Sequence, residues 1–250
     1  MKALVTGASS GIGLEISKYL DSIGYEIILV ARDKEKLESV AKTLTHKPKI
    51  IVMDLQQVED IKSLYVLVKN DDIDILVNNA GFGLFGNFTE TDLSKELNMI
   101  DINIKAVHIL TKLFLKDMKR KNKGYILNVA SSAAFQSGPL MATYYSTKSY
   151  VYRLTEAINY ENKKDKVNVQ VSCLCPGPVD TNFNKVAGVR FSVKPLKADY
   201  VAKYAIDKML KGKMLIIPGF KMKCAKFFGR FVSDKKLMAI TYRIQKKKVK

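Results

Sequence analysis

The strongest constraint on the fold is an alternation along the chain. Short apolar, β-branched runs at 2–6, 26–31, 49–53, 73–77, 125–129, 167–174 and 214–217 are separated by longer stretches of helical period, such as 34–44 and 143–161. Strands alternating with helices predict βαβ units and a parallel sheet. Right-handed crossovers then place helices on both faces of that sheet. The 250 residues suit one such domain, and no repeat, low-complexity linker or Pro/Gly-rich boundary divides them. We expect a three-layer α/β/α domain of about seven strands over 1–218. A basic amphipathic helical extension is expected over 219–250.

The first strand run leads straight into a glycine turn, Thr6-Gly7-Ala8-Ser9-Ser10-Gly11-Ile12-Gly13, and the segment from Leu14 to Leu20 reads as a helix. Strand, glycine turn and helix together make a dinucleotide site credible. The glycines let backbone approach a pyrophosphate closely, and the helix start offers it free N–H groups and a positive dipole end. The spacing is G-x-x-x-G-x-G rather than the general G-x-G-x-x-G. The second strand ends in Val30-Ala31-Arg32. An acid at its end would bind the ribose 2′-hydroxyl of NAD. Ala31 is not acidic, whereas Arg32 can pair with the 2′-phosphate of NADP. We therefore expect NADP(H) in preference to NAD(H), with Asp33 as a neighbour that weakens the electrostatics.

From here the sequence resembles the short-chain dehydrogenase/reductase family. Thr6–Gly13 matches its T-G-x-x-x-G-x-G motif, and Asn78-Asn79-Ala80-Gly81 its N-N-A-G. Asn103 matches the helix asparagine, Ser131 the serine ending the fifth strand, and Tyr144 with Lys148 the Y-x-x-x-K pair thirteen residues later. Pro176-Gly177-Pro178-Val179-Asp180-Thr181 matches P-G-x-V-x-T. The matches run in order from residue 4 to about 181, and 182–250 carries little of the signature. The resemblance implies a Rossmann-type doubly wound sheet and a hydride transfer to or from a carbonyl carbon. It implies catalytic roles for Asn103, Ser131, Tyr144 and Lys148. Cofactor contacts would come from Gly7, Ser9, Ser10, Gly11, Ile12, Gly13, Arg32, Asp54, Leu55, Asn79, Ala80, Gly81, Tyr144, Lys148, Pro176, Gly177, Val179 and Thr181.

Residue chemistry agrees with those roles. Tyr144 and Lys148 stand at i and i+4, on one face of a helix. A tyrosine's ordinary pKa near 10 is high for acid–base work, and a nearby ammonium is expected to favour the phenolate. Ser131 would orient the substrate oxygen and stabilise its developing charge. Asn103 resembles the residue that holds a water in the family's proton relay. Tyr145 and Ser132 are out of register with this constellation. Phe82, Leu84, Phe85, Phe135, Met141, Phe183, Val186, Val189 and Phe191 are candidates for an apolar pocket. They favour a hydrophobic ketone or alcohol over a sugar or a charged acid.

Other classes of site find little support. Cys173, Cys175 and Cys224 have no C-x-x-C spacing, which argues against a disulfide framework or zinc. Cys173 and Cys175, two apart in a strand-like run, read as packing residues. His46 and His108 are distant and read as structural, so no metal is expected. No run approaches 18 apolar residues and the start does not read as a signal peptide, so the expected location is the cytoplasm.

The net charge of +18 is concentrated: residues 211–250 carry +12 and the rest +6. In the tail, Phe220, Cys224, Phe227, Phe228 and Phe231 recur at helical spacing, as do Leu237, Ile240, Thr241 and Ile244. Two fates are open: folding back over the substrate pocket or a subunit contact, or lying on an anionic membrane. Nucleic-acid binding lacks any supporting motif. A non-catalytic dinucleotide-binding regulator is the other rival, opposed by the intact constellation. A homodimer or homotetramer is expected from the family, with Val107, Leu110, Leu113 and Phe114 as an apolar stripe.

Overall fold

The runs that alternate with helices are apolar on both faces because both faces of the sheet are covered. In β1 (Lys2–Thr6), Ala3 and Val5 enter one core and Leu4 the other. The computed structural model describes residues 1–183, 187–188 and 194–247. Its other strands are β2 (Glu26–Ala31), β3 (Lys49–Val52), β4 (Ile73–Asn78), β5 (Gly124–Val129), β6 (Val169–Leu174) and β7 (Leu215–Ile216). All pair in parallel, in the order β3-β2-β1-β4-β5-β6-β7. The chain reverses its direction of growth between β1 and β4. That switch opens a crevice at their carboxyl ends, where ligands of such sheets bind.

On one face, α1 (Gly11–Ser22), α2 (Lys34–Ala41) and α7 (Ala198–Leu210) bury Ile16, Leu20, Leu37, Ile206 and Met209. On the other, α3 (Val58–Val68) and α5 (Val107–Lys121) bury Ile61, Leu64, Leu110 and Phe114. There α6 (Ala142–Lys164) packs Val151 and Tyr152 with Cys173 and Cys175. The stripe assigned to a subunit contact is therefore core: Val107, Leu110 and Phe114 are buried, and Leu113 is half-buried. His46 Nδ1 lies 2.9 Å from the buried Asp21 carboxylate, and His108 Nδ1 lies 2.7 Å from the Tyr150 hydroxyl.

Differences from the expected boundaries have local causes. Strand β6 starts at Val169, not 167, because the Val167 N–H closes the end of α6 on the Asn162 carbonyl. Helix α2 stops at Ala41, and a turn takes over through Thr43 N–H on the Val40 carbonyl. Between α4 (Leu93–Ile100) and α5 lies a π-helical turn, Asp101–Ala106. The pattern of apolar residues did not announce it.

The tail forms α8 (Phe220–Gly229) and α9 (Asp234–Lys246), folded back on the domain with an unexpected sidedness. Thr241 and Gln245 are buried, and Met222 packs on Gly177. Lys226 Nζ sits 4.9 Å from the centre of the Phe135 ring. The phenylalanines face outward, with Phe220 79% and Phe231 77% exposed.

Candidate active site

The crevice is held open by a clamp between the ends of β1 and β4. The Thr6 hydroxyl donates to the Val77 carbonyl at 3.2 Å and accepts the N–H groups of Asn79 and Ala80 at 3.0 and 3.1 Å. Asn79 Nδ2 donates back to the carbonyls of Thr6 and Gly7, each at 3.1 Å. The turn this fixes admits only glycine at two places. Gly7 has φ +63°, and a Cβ there would lie 2.9 Å from Ala80 Cα. A Cβ on Gly13 would lie 2.3 Å from the Gly7 carbonyl oxygen, so Gly13 packs helix on turn and does not line the cavity. Helix α1 has no acid in its first turn, and Ser10 spends no side-chain bond on capping it. Its orphan N–H groups and dipole end make an anion cradle.

A cavity of about 830 Å³ runs from this turn to α6. Gly7, Ser9, Ser10, Gly11, Ile12, Arg32, Leu55, Asn79, Ala80 and Gly81 line its first part. Arg32 is largely exposed, with Nη1 3.8 Å from Asp54 Oδ2. Asp54 itself is not in the wall, contrary to expectation; Met53, Leu55 and Gln56 are. Asp33 caps α2, accepting the Lys36 N–H at 3.0 Å and the Lys36 ammonium at 2.6 Å. That pairing offsets the Asp33 charge, and both Asp33 and Lys36 line the cavity beside Arg32. Lys36 was missed by the sequence reading, although it lies one helical turn beyond Arg32.

Ser131, Tyr144 and Lys148 share the far wall with Pro176, Gly177, Val179 and Thr181. Ser131 ends the segment after β5 and caps a short 3₁₀ turn, its Oγ accepting the Ala133 N–H at 3.2 Å. Lys148 Nζ donates to the Val129 carbonyl at 3.0 Å and lies 5.9 Å from the Tyr144 ring centre. Burial pushes the Lys148 pKa down to about 8. Burial also raises the Tyr144 pKa well above its ordinary value, while hydrogen bonding to Ser131 acts the other way. Burial thus favours the neutral phenol of Tyr144, the form that donates a proton, over the phenolate expected from the neighbouring Lys148.

Asn103, in the π turn, is fully buried behind the wall rather than in it. Its Oδ1 accepts the Phe82 N–H at 3.1 Å, and its Nδ2 donates to the Phe82 carbonyl at 2.9 Å and to Thr147 Oγ1 at 3.0 Å. Thr147 lies between Tyr144 and Lys148 and donates to the Tyr144 carbonyl at 2.8 Å. Asn103 therefore ties the loop after β4 to the helix carrying the Tyr/Lys pair.

The apolar end of the cavity is lined by Phe82, Leu84, Met141, Tyr145 and Phe183, the last with its ring centre 5.4 Å from that of Tyr144. Phe85 joins this cluster without lining the cavity. Phe135 turns away to pack edge-on against Tyr152 at 5.4 Å. Val186, Val189 and Phe191 lie outside the described residues. Lys95, Asn98 and Gln245 also line the cavity, and no motif pointed to them.

A family model described as short chain dehydrogenase matches residues 1–189. The chain belongs to the short-chain dehydrogenase family. This dehydrogenase is 33% identical over 214 residues to an uncharacterised oxidoreductase of Staphylococcus saprophyticus, covering 82% of the chain and 91% of the relative. Among solved structures, an alcohol dehydrogenase from Thermococcus sibiricus complexed with 5-hydroxy-NADP is 30% identical, with TM-score 0.74 and coverage of 86% and 94%. A Sphingobium yanoikuyae short-chain dehydrogenase in complex with NADPH superimposes at TM-score 0.83, with 24% identity and 95% of each chain covered. One from Burkholderia phymatum in complex with NAD gives TM-score 0.84, with 22% identity and 94% of each chain covered. The fold is thus shared by proteins that bind either dinucleotide.

Proposed function

We propose that this dehydrogenase transfers a hydride between NADP(H) and the carbonyl or alcohol carbon of a hydrophobic small molecule. The observation that carries this reading is that Ser131, Tyr144 and Lys148 converge on one cavity with the glycine turn. The residues present fit a dinucleotide. N–H groups of the glycine turn from Ser9 to Gly11 and of the first turn of α1 would hold the pyrophosphate, with Arg32 and Lys36 toward the 2′-phosphate. Leu55 and Ala80 would lie on the adenosine side. Lys148 and the Pro176–Thr181 loop would hold the nicotinamide end.

A bound nicotinamide supplies or takes up the hydride. Ser131 holds the substrate oxygen through its hydroxyl. In reduction, Tyr144 gives its proton to that oxygen as hydride reaches the carbon, so the C=O bond becomes HC–OH. The Lys148 ammonium offsets the phenolate charge left in a buried wall, and Asn103 positions the pair through Thr147. The apolar walls favour a hydrophobic substrate. The preference for NADP rests on Ala31, Arg32 and Lys36, since the neighbours bind both dinucleotides. Incubation with NADPH or NADH and a panel of hydrophobic ketones, followed by absorbance, tests the reading. No oxidation of either dinucleotide, and no reduction of NADP⁺ with the matching alcohols, would leave a non-catalytic dinucleotide-binding protein.

A second reading concerns where the protein works. Phe220, Phe227, Phe228 and Phe231 are exposed on α8, Phe227 in contact with Phe228 and Phe231, and Ile240 and Ile244 are exposed on α9, all within the +12 tail. Such a tail fits an anionic membrane better than nucleic acid, each basic residue near lipid contributing about 1 kcal/mol. We place the protein in the cytoplasm, peripheral at such a membrane. Sedimentation with anionic but not neutral vesicles, reversed by salt, is expected; no vesicle binding at low salt refutes it. Among the described residues no helix is long and apolar enough to cross a membrane. Exposed Leu93 and Leu97 on α4, with Tyr150 and Tyr160 on α6, are the apolar side chains these helices offer a second copy. Sedimentation velocity reads whether a dimer or tetramer forms.

A further inference from the structure

The cavity contains a polar group that the reaction just described does not use. Gln245, on the buried face of α9, lies a hundred residues from Tyr145 in sequence and lines the same cavity. It is 1% exposed. Its Nε2 donates to the Tyr145 hydroxyl at 2.6 Å, and its Oε1 has no hydrogen-bond partner among the described residues. Native interiors rarely leave a buried amide oxygen unpaired, and each exception calls for an explanation.

Two neighbouring features hold the amide in place. Gln136 Nε2 donates to Thr241 Oγ1 at 2.6 Å, docking α9 one helical turn before Gln245. The Tyr145 ring is packed on Gly138, where a Cβ would come within 2.2 Å of it. Thus the amide is held by a ring packed against backbone and by a helix docked one turn away. Phe82, Leu84, Met141 and Phe183 make much of the wall at this end apolar, although Asn182 also lines the cavity beside Phe183. A substrate of uniform apolar surface would leave Oε1 unsatisfied. One carrying an O–H at the far end would satisfy it. Exchanging the two ends of the amide would let Oε1 accept from Tyr145 and leave an N–H group free, and a hydroxyl answers that arrangement as well.

We propose that Gln245, held by Tyr145, is a specificity-determining residue that binds a hydroxyl group remote from the reacting carbon. The substrate class is then a hydrophobic ketone or alcohol with a second hydroxyl, and α9 is the wall that selects it. This inference rests on reading the cavity as a substrate site. It adds a recognition role for the C-terminal extension, whose sequence carries little of the family signature.

The test uses the full chain and ketone pairs that differ by one remote hydroxyl, beginning with benzylacetone and its para-hydroxy derivative. The parent should prefer the hydroxylated member in kcat/KM. Gln245→Leu should lower that preference roughly tenfold, the loss of one hydrogen bond. Tyr145→Phe, which keeps the ring and removes the anchor of the amide, should shift the ratio in the same direction. A preference unchanged in both variants across the pairs overturns the inference while the reductase reading stands. Failure of the parent to reduce any ketone with either dinucleotide would instead defeat the reductase reading. Thermal shifts then decide the inference: the hydroxylated ligand should stabilise the parent more than Gln245→Leu, and equal shifts overturn it.

Discussion

The two ends of the cavity are made of different material. At the glycine turn the wall is largely backbone, fixed by bonds between strand ends such as those joining Thr6 to Asn79 and Ala80. At the other end the wall is side chains: Phe82 after β4, Met141 before α6, Phe183 after β6 and Gln245 from the tail. Backbone walls cannot change without disturbing the sheet, whereas side-chain walls can be exchanged one at a time. Tyr144 and Lys148 stand at the junction, on a helix tied to the sheet through Asn103 and Thr147. On the proposed function, the chemistry is anchored to the backbone-built end and the choice of substrate to the end built of side chains.

That division can be broken most severely at the junction. Tyr144→Phe removes the proposed proton donor and leaves the ring packed. Turnover should fall by about 10²–10⁴-fold, the usual contribution of general acid–base catalysis. NADPH binding, followed by fluorescence titration, should be kept. A variant with parental rates would remove Tyr144 from the reaction.

Lys148→Met asks what the junction costs in stability. The folded pKa of about 8 lies below the unfolded value of 10.5. Burying the charge therefore destabilises the parent fully below about pH 8, and the penalty fades as pH rises from there toward 10.5. The variant should be inactive yet more stable than the parent at neutral pH, by less than the about 3 kcal/mol of the buried charge, because the Val129 carbonyl loses its donor. Its advantage should shrink as the parent gains stability through that window. Urea midpoints on either side of the window measure it, and a variant less stable than the parent at neutral pH contradicts it.

The smallest expected effect lies at the cofactor end, on its most exposed side chain. Arg32→Ala should weaken NADPH by about 1.5–3 kcal/mol and leave NADH nearly unchanged. Equal losses for both would dissociate Arg32 from the 2′-phosphate and leave Lys36 as the cation that selects.

The same division decides what could be read from sequence. The glycine turn, Asn78–Gly81 and the Tyr144/Lys148 pair were legible because each is contiguous or one helical turn apart. The π turn around Asn103 was not, since one extra residue in a helical ladder leaves the run of apolar side chains nearly unchanged. Phe135 was assigned to the pocket because it lies between Ser131 and Tyr144. The 3₁₀ turn instead points it toward Tyr152. In the tail the helical segments were legible but not their orientation. Apolar side chains were expected to seek cover, and specific hydrogen bonds to Gln136 and Tyr145 instead turned the polar Thr241 and Gln245 inward. A wheel drawn from one helix contains neither partner.

The placement of β1 between β2 and β4 has a kinetic consequence. Thr6 meets Val77 across 71 residues of chain, so that contact must close a long loop before it contributes anything. Parallel pairings of this separation form slowly. During synthesis the first strand can pair with β2 early, but it lacks its other neighbour until β4 has been made. The clamp that shapes the glycine turn belongs to that later event. The glycine-turn cradle, encoded almost at the start of the chain, is therefore expected to be among the last parts of the central sheet to become fixed.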